Sequence, residues 1–591
     1  MMATRLDLRP NRNLLDSKFE SYRLSLDPLP ILKQNLQEGV QNVDLGEDRF
    51  SYLEISMSGL FNHLNQDPWA LNCLFYVNES HHICWICLSQ DGRLTDRKFV
   101  WQIPVESGNF SSNASISFPG MEWAIVSNGS RTIYILNTPS RSQGEPWQLC
   151  FTYEVDGCSS QSLLFNSIYS SYPSRNQIDC VLAHISKPHN VQGSCKLPET
   201  TIHFILVLEW LTFTCAVGND NNVWNLKRLR RLVGSSIPNY VVIEPGGSAL
   251  CIATEKEFSF IYDSGKQEEI TVEEQKVTIL PPLYTYIQSM EDVNVIFRLP
   301  ENINTSDISV IIQSSHLEVK FKGKTVLEGP LCNTVNVDAS TWIVDGEKLE
   351  VTLSKSEVGL LWSELVIGNT RGEEVMDPSL VAEIHNRLAH LTSEVEVNDK
   401  NKPPFNAQQL EECDISNEFF LFMRLDGNTH RVTHHINLSG RQWLFNTTHS
   451  TESLPVLCLR YDVDGLIWQP KNIVSEGEDE HFKLEHIATY PALGYVVASK
   501  QDRKFISGSQ DFSFAAVCDS IRHVYIYRQP ESLSSSIELR NRKTGKEISH
   551  IAKQYVVNLE NCAGILGFQA SKNCIFVLGR KTLYAIKIIE S

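Results

Sequence analysis

The chain reads Val293-Asn-Val-Ile-Phe-Arg-Leu-Pro300, Ile308-Ser-Val-Ile-Ile-Gln313, His316-Leu-Glu-Val-Lys-Phe-Lys-Gly323 and Lys348-Leu-Glu-Val-Thr-Leu353 in its middle third. In each run apolar and polar residues alternate, which is the pattern of strands with one buried face. Asp345-Gly346 precedes the last run, and an Asp-Gly pair tolerates the positive φ of a tight hairpin turn. Strands at this spacing without a helix between them predict an antiparallel β-sandwich of about 90 residues.

Further motifs frame these strands. Tyr284-Thr-Tyr-Ile-Gln288 opens the region, Leu327-Glu-Gly-Pro-Leu331 lies in its middle, and Trp362-Ser-Glu-Leu365 closes it. In this order the motifs resemble the CS domain of the NudC family, and the long flanks resemble one member of that family. Two positions depart from the family pattern. Tyr286 stands where Trp is usual, and the paired Trp before the last strand is Leu361-Trp362 here; we expect that either change alters the partner surface and leaves the sandwich intact.

Composition limits the classes of function. The chain has 591 residues, 42% of them apolar and 21% charged, with a net charge of −18. This length predicts two or more hydrophobic cores. An acidic surface repels phosphate backbones and anionic lipid, so we expect neither direct nucleic-acid binding nor membrane binding. The beginning of the chain lacks the apolar core of a signal peptide, and the 15 cysteines form no regular framework. We therefore expect reduced cysteines and a location in the cytoplasm and nucleus.

Both flanks consist of short strands separated by turns. Asn239 to Tyr262 is one example, and the last 29 residues, from Ala563 to the end, are another. This pattern is typical of β-propeller blades, and a blade takes about 40–60 residues. The two flanks supply enough chain for seven or eight blades. We expect an all-β protein in which one β-propeller, built from residues 1–275 and 411–591, is interrupted by a CS-type sandwich at 276–370. The alternative is two separate β-domains.

Four local predictions accompany this architecture. An N-terminal strand, Arg5–Leu8 or Phe19–Leu26, is expected to close the propeller against the strands that end at Ile588. Residues 371–410 are expected to form an amphipathic helix, Asp377–Leu391, followed by a linker; the helix packs on a domain or binds a partner. No helix is expected within residues 1–275, and Tyr495–Ala498 is expected to be a strand.

Several motifs suggest chemistry but fail on geometry. Cys84 and Cys87 form a C-x-x-C motif, yet on a strand residues three apart point to opposite faces and cannot share one metal. His430, His434 and His435 are expected on a strand without a further ligand. The Gly323 and Asp462 motifs are expected in hairpin turns and not in nucleotide or calcium loops. We therefore predict no catalytic residue, no metal site and no cofactor.

The remaining candidate function is the binding of proteins at the surface. His316, Lys320 and Lys322 are expected on the outward face of one sandwich strand, where they either receive an acidic partner or form a solvated face. Trp342 and Trp362 are either core residues or partly exposed anchors. The resemblance to the NudC family implies a non-enzymatic adaptor or co-chaperone that works with the ninety-kilodalton heat-shock chaperone and β-propeller clients. In that interpretation the propeller holds one further, specific partner. The alternative is a scaffold subunit of a nuclear or cytoplasmic assembly without a chaperone cycle.

Overall fold

The computed structural model divides into two compact units. The propeller unit draws on residues 1–5, 17–275 and 407–591, and the sandwich unit on residues 6–16 and 276–406. The structure describes residues 4–6, 8–16, 19–43, 51–104, 113–156, 161–188, 191, 204–216, 223–266, 283–289, 291–300, 303, 305–346, 348–358, 362, 364–367, 369, 371–374, 420–473, 481–500, 502–532, 539–540, 547–548 and 550–588.

Seven sheets of four to six strands make up the described part of the propeller unit, and we number them as blades. Blade 1 contains β3 (Ile31–Asn35), β40 (Ile565–Ala570), β41 (Cys574–Gly579) and β42 (Thr582–Lys587). Blade 2 contains β4 (Asn65–Gln66), β5 (Cys73–Val77), β6 (His82–Cys87) and β7 (Lys98–Gln102). Blade 3 contains β8 (Ser115–Gly120), β9 (Trp123–Ser127), β10 (Thr132–Asn137) and β11 (Gln148–Glu154).

The chain leaves the propeller for the sandwich and returns from it within the next two blades. Blade 4 contains β12 (Ser162–Tyr172), β13 (Arg175–Ser186), β14 (Ile205–Ala216), β15 (Trp224–Gly234) and β18 (Ser259–Asp263). Blade 5 contains β16 (Tyr240–Ile243), β17 (Ala249–Thr254), β27 (Leu421–Asp426), β28 (Val432–Asn437) and β1 (Thr4–Leu6). Since β17 pairs with β27, the two flanks share one sheet, as a single propeller requires.

The remaining blades come from the second flank and the N-terminus. Blade 6 contains β29 (Trp443–Thr447), β30 (Val456–Tyr461), β31 (Asp464–Ile473) and β32 (His481–Tyr490). Blade 7 contains β33 (Arg503–Gly508), β34 (Phe514–Asp519), β35 (His523–Arg528), β36 (Glu531–Ser532), β39 (His550–Asn558) and β2 (Phe19–Leu24). A separate pair consists of β37 (Leu539–Arg540) and β38 (Glu547–Ile548).

Buried contacts link each blade to the next and blade 7 to blade 1. Apolar clusters span the junctions 1–2, 2–3, 3–4, 4–5 and 7–1. At junction 5–6 the Phe422 and Phe482 rings stack with centroids 5.8 Å apart. At junction 6–7 the Tyr490 hydroxyl donates to the Phe514 carbonyl at 3.1 Å. The sheets therefore form a closed seven-bladed propeller, in agreement with the predicted fold class and blade number.

The strand that closes blade 1 is not the one predicted. β3 pairs antiparallel with β42, so Ile31 lies opposite Ile586. The predicted segments do form strands, but β1 extends blade 5 and β2 extends blade 7, where it pairs in parallel with β39. All three N-terminal strands are short, and their sequences hold no information about which distant edge each one meets.

Two short helices correct the sequence analysis. Helix α1 (Tyr52–Gly59) begins with a capping box in which Glu54 N–H and Ser51 Oγ are 3.3 Å apart. It buries only Leu53 and Met57, and two turns are too short to show helical periodicity. Helix α2 (Leu493–Ala498) replaces the predicted strand. Every residue of α2 is buried, so no polar face distinguishes it from a strand. The predicted helix Asp377–Leu391 and linker lie outside the described residues.

A cluster of charged and polar side chains, most of them buried, lies between blades 4 and 5, and we call it the charged seam (Asp179, Arg228, Arg230, Asp263 and His430). Arg228 donates from Nε and Nη2 to the two carboxylate oxygens of Asp263, at 2.9 and 2.5 Å. Nε2 of His430 lies 2.8 Å from Asp263 Oδ2. Asp263 ends the last strand before the insertion and His430 follows the first strand after it, so the seam ties together both flanks of the interruption.

The sandwich unit has two antiparallel layers, apart from one short parallel strand. One sheet contains β19 (Tyr284–Gln288), β20 (Asp292–Arg298), β24 (Val335–Asp345), β25 (Lys348–Lys355) and the parallel β26 (Gly372–Glu374). The other contains β21 (Ile308–Gln313), β22 (His316–Phe321) and β23 (Lys324–Pro330). The predicted inward residues form one core, which confirms the alternation: Val293, Val295, Phe297, Leu299, Leu317, Val319, Phe321, Leu349, Val351 and Leu353. The hairpin at Gly346, with φ 56°, is also confirmed.

Candidate protein-interaction site

The lysine face of β22 is smaller than predicted. His316, Glu318 and Lys320 alternate with the buried residues of the strand, as expected. Lys320 forms an ion pair with Glu318 on the same strand, and this hydrogen bond raises the pKa of Lys320. Lys322 is not on the strand, because the chain already turns there, with φ 49° followed by Gly323 at 75°. The face therefore offers one locally neutralised lysine and one exposed lysine on a hairpin.

The two tryptophans have different environments. Trp342 lies on β24, an edge strand, and remains 36% exposed. Trp362 is 2% exposed and belongs to the sandwich core, so its side chain is not a surface anchor. Trp342 and Lys320 lie on different sheets, so the predicted residues do not share one sheet face.

The backbone of Trp362 is fixed by a side chain that the sequence analysis did not single out. Trp362 N–H donates to Gln288 Oε1 at 2.8 Å, and Gln288 Nε2 donates back to the Trp362 carbonyl at 2.9 Å. Lys355 Nζ donates to the same Gln288 oxygen at 3.2 Å. This pairing could have been predicted from the sequence only by considering Gln288, the last residue of the opening motif, together with Trp362 of the closing motif.

The cysteines of the C-x-x-C motif face opposite ways, as predicted. Cys84 packs in the core between blades 1 and 2, and Cys87 packs at the core between blades 2 and 3. Cys87 has a different neighbour, since the Cys73 thiol on β5 donates to Cys87 Sγ at 3.3 Å. This hydrogen bond holds the pKa of Cys87 below its ordinary value and raises that of Cys73. A pair that forms across two strands has no signature in sequence spacing.

The predicted histidine strand is partly wrong. His430 precedes β28 and adopts a left-handed backbone with φ 62°. Burial lowers its pKa more than the hydrogen bond to Asp263 raises it, so His430 is a neutral partner of the charged seam near neutral pH. His434 and His435 do lie on β28. The Gly323 and Asp462 motifs are hairpin turns, as predicted.

The described residues set two limits on the class of site. They include no group of three or more His, Cys, Asp or Glu side chains that could hold a metal ion. Among the helices within the same ranges, none has the length and apolar character needed to cross a membrane.

Comparisons with known proteins agree with this architecture. The family model of the CS domain matches residues 282–355. NudC domain-containing protein 1 of Xenopus tropicalis is 36% identical over 601 residues, covering 100% of this chain and 99% of the relative. The mouse protein of that name is 36% identical over 598 residues, with the same coverage. Nuclear migration protein nudC of Drosophila melanogaster is 32% identical over 87 residues, which cover 14% of this chain and 26% of that protein. The similarity to the first two extends through both flanks, and the chain belongs to the family of NudC domain-containing protein 1.

Proposed function

We propose that the protein is a non-enzymatic adaptor of the co-chaperone class. In this proposal the CS sandwich contacts the ninety-kilodalton heat-shock chaperone or its β-propeller clients, and the propeller holds a further partner. The observation that carries the proposal is the pairing of an inserted CS sandwich with a separate seven-bladed propeller on one chain. Two rigid binding units on one chain raise the effective concentration of one partner near the other.

The sandwich offers a specific anchor for such a contact. Trp342 is a large, partly exposed aromatic residue on β24, the edge strand of its sheet within the described residues, and aromatic anchors of this kind carry much of the binding free energy at interfaces. Val337 and Ile343 on the same strand are also exposed. The strand edge adds backbone groups that pair with an extended segment of a partner.

Purified components test the proposal. Full-length protein and its Trp342→Ala variant are titrated with the purified ninety-kilodalton chaperone, and suppression of citrate synthase aggregation is measured in parallel. Met121→Ala is the matched control, because Met121 is an exposed apolar residue of the propeller unit. We expect loss of binding for Trp342→Ala and unchanged binding for Met121→Ala. If the wild-type protein neither binds the chaperone nor suppresses aggregation, the co-chaperone function is wrong.

A scaffold function is the second candidate, and helix α1 favours it. Tyr52 and Ile55 are exposed by 81% and 55%, on the side of the helix away from its buried residues Leu53 and Met57. A stoichiometric partner that is lost with Tyr52→Ala and Ile55→Ala but retained with Trp342→Ala would support a scaffold.

We also propose a cytoplasmic and nuclear location. Buried free thiols such as those of Cys84, Cys180 and Cys458 are what reducing compartments maintain. Fractionation of cells and detection of the untagged protein test this location; recovery of the protein only from secretory compartments would contradict it.

A further inference from the structure

The N-terminal segment Leu6–Asp16 packs with the sandwich unit, whose remaining residues begin at Lys276. The chain thus leaves the propeller unit after β1 and returns to it before β2. Leu8 is buried, although the segment contains no strand of the sandwich. We call Leu6–Asp16 the N-terminal strap.

Two arginines of the strap bind acceptors on the sandwich. Arg9 forms an ion pair with the carboxylate of Glu364, and its Nη2 donates to the Asn369 carbonyl at 2.5 Å. Arg12 Nη2 donates to the Trp362 carbonyl at 2.8 Å. The three sandwich groups are one carboxylate and two backbone carbonyls, all of them acceptors. Such a set matches guanidinium groups, which carry only donors.

One of the three acceptors, the Trp362 carbonyl, is held in place by the sandwich itself. The Trp362 ring fills the core, and the two hydrogen bonds to Gln288 hold its backbone. The carbonyl that receives Arg12 is therefore oriented by contacts that do not involve the strap. A preformed acceptor loses little freedom on binding, which favours affinity for an arginine-bearing ligand.

The strap also has the features of a peptide ligand. Pro10 lies between the arginines and restricts the backbone to an extended φ. Asn11 Oδ1 accepts from Asn13 N–H at 3.1 Å and starts a single helical turn that contains Arg12. A short segment with Arg-x-x-Arg spacing thus presents two guanidinium groups to one surface.

We infer that Trp362, Glu364 and Asn369 form a binding site for arginine-bearing peptides, which the strap occupies in the free protein. A partner protein with an exposed Arg-x-x-Arg segment displaces the strap. The inference rests on the proposed function in one respect, namely that the sandwich binds proteins. It adds the chemical feature, an Arg-x-x-Arg segment, by which the sandwich recognises one such partner. Because a tethered segment has an effective concentration on the order of millimolar, the strap excludes weakly binding peptides.

Fluorescence polarisation tests the exchange. The probe is a labelled peptide with the sequence of residues 6–16, added to full-length wild-type protein, to Arg9→Ala/Arg12→Ala, and to the same double variant that also carries Glu364→Ala. The double variant leaves the site vacant, so its Kd for the probe should be at least roughly tenfold lower than that of the wild type. Adding Glu364→Ala should remove this gain. Arg298→Ala, which changes an exposed arginine on β20, should bind the probe as the wild type does.

A measurement on the wild-type protein alone keeps the inference testable if the variants do not fold. Excess peptide should increase hydrogen exchange of amides in residues 8–16, and a peptide with lysine at both arginine positions should not, because lysine lacks the planar fork of donors. Equal affinity of the double variant and the wild type, or equal effects of the arginine and lysine peptides, would overturn the inference. The chaperone titration with Trp342→Ala is independent of these results, so failure of one proposal is distinguishable from failure of the other.

Discussion

The sandwich core and the charged seam of the propeller solve the same packing problem with different chemistry. The sandwich core consists of aliphatic and aromatic side chains. In the seam, Asp179 and Arg230 are both buried, with Thr212 Oγ1 donating to Asp179 at 2.5 Å. Burying apolar surface is favourable without any partner, whereas a buried charge is tolerated only when it is paired and hydrogen-bonded. The sandwich should therefore respond to changes of volume, and the seam to changes of charge and pH.

The largest effect is expected in the sandwich. Phe297 is fully buried between Tyr284 and Phe321, with ring centroids 5.5 and 6.2 Å away. Phe297→Ala should lower the free energy of unfolding of the sandwich by about 3–5 kcal/mol, because it leaves a cavity. Hydrogen exchange with mass spectrometry should show faster exchange in β20 and β25. Equally faster hydrogen exchange in β41 and β42 of the propeller would mean that the two units unfold together. The contrast between the sandwich core and the charged seam would then not hold.

A charge deletion should break the seam. Asp263→Ala removes the carboxylate that accepts from Arg228 and lies against His430. We expect a loss of about 2 kcal/mol in the propeller, because charge-assisted hydrogen bonds are lost while Arg228 keeps its bonds to the Gly427 carbonyl and to Asn428 Oδ1. The exchange of β27 should rise. Glu154→Ala is the matched control, since its ion pair with Arg131 is exposed at 3.6 Å and should be worth less than about 1 kcal/mol. Similar losses of stability in Asp263→Ala and Glu154→Ala would show that burial of an ion pair does not determine its contribution to stability.

The pH dependence of the seam has a definite sign. Burial alone would raise the pKa of Asp263, but the hydrogen bonds from Arg228 and from Gly265 N–H outweigh it and hold the pKa at about 2. Since this pKa lies below the ordinary value of 3.8, the carboxylate stabilises the fold above that value, and the contribution is lost as the pH falls from about 4 to 2. Urea midpoints of wild type and Asp263→Asn should therefore converge over this range. A constant difference between them would refute the assignment.

The smallest expected effect is on the reactivity of the Cys87 thiol. Cys87 has a lowered pKa through its bond from Cys73, whereas burial raises the pKa of Cys150 and of Cys562, which are also partly exposed. Because the thiolate is the nucleophile, limiting iodoacetamide at pH 8 should alkylate Cys87 before Cys150 and Cys562. Peptide mass spectrometry reads the order, and Cys73→Ser should slow the reaction of Cys87. Faster labelling of Cys150 would contradict the pairing.

Local patterns were sufficient for the sandwich and for the general character of the propeller. The alternation around Val293 and Leu349 and the turns at Gly323 and Gly346 predict the strands where the structure has them. Pairings between distant segments were not predictable, because β-type composition does not specify a partner. Examples are β3 with β42, Cys73 with Cys87, and Arg9 with Glu364.

The candidate site was also only partly predictable from local sequence patterns. The exposure of Trp342 follows from the edge position of β24, and the burial of Trp362 follows from its packing in the sandwich core; no residue pattern states either directly. Helix α2 was missed for a related reason, since full burial removes the periodicity on which such predictions depend.

The pairing of β3 with β42 has a consequence for biosynthesis. Ile31 leaves the ribosome some 555 residues before Ile586, and at roughly 5–20 residues per second this edge waits on the order of a minute for its partner. Blades 2 and 3, together with the first four strands of blade 4, lie within one continuous segment and can assemble during translation. The nascent polypeptide must therefore keep its first strands away from wrong partners until synthesis ends.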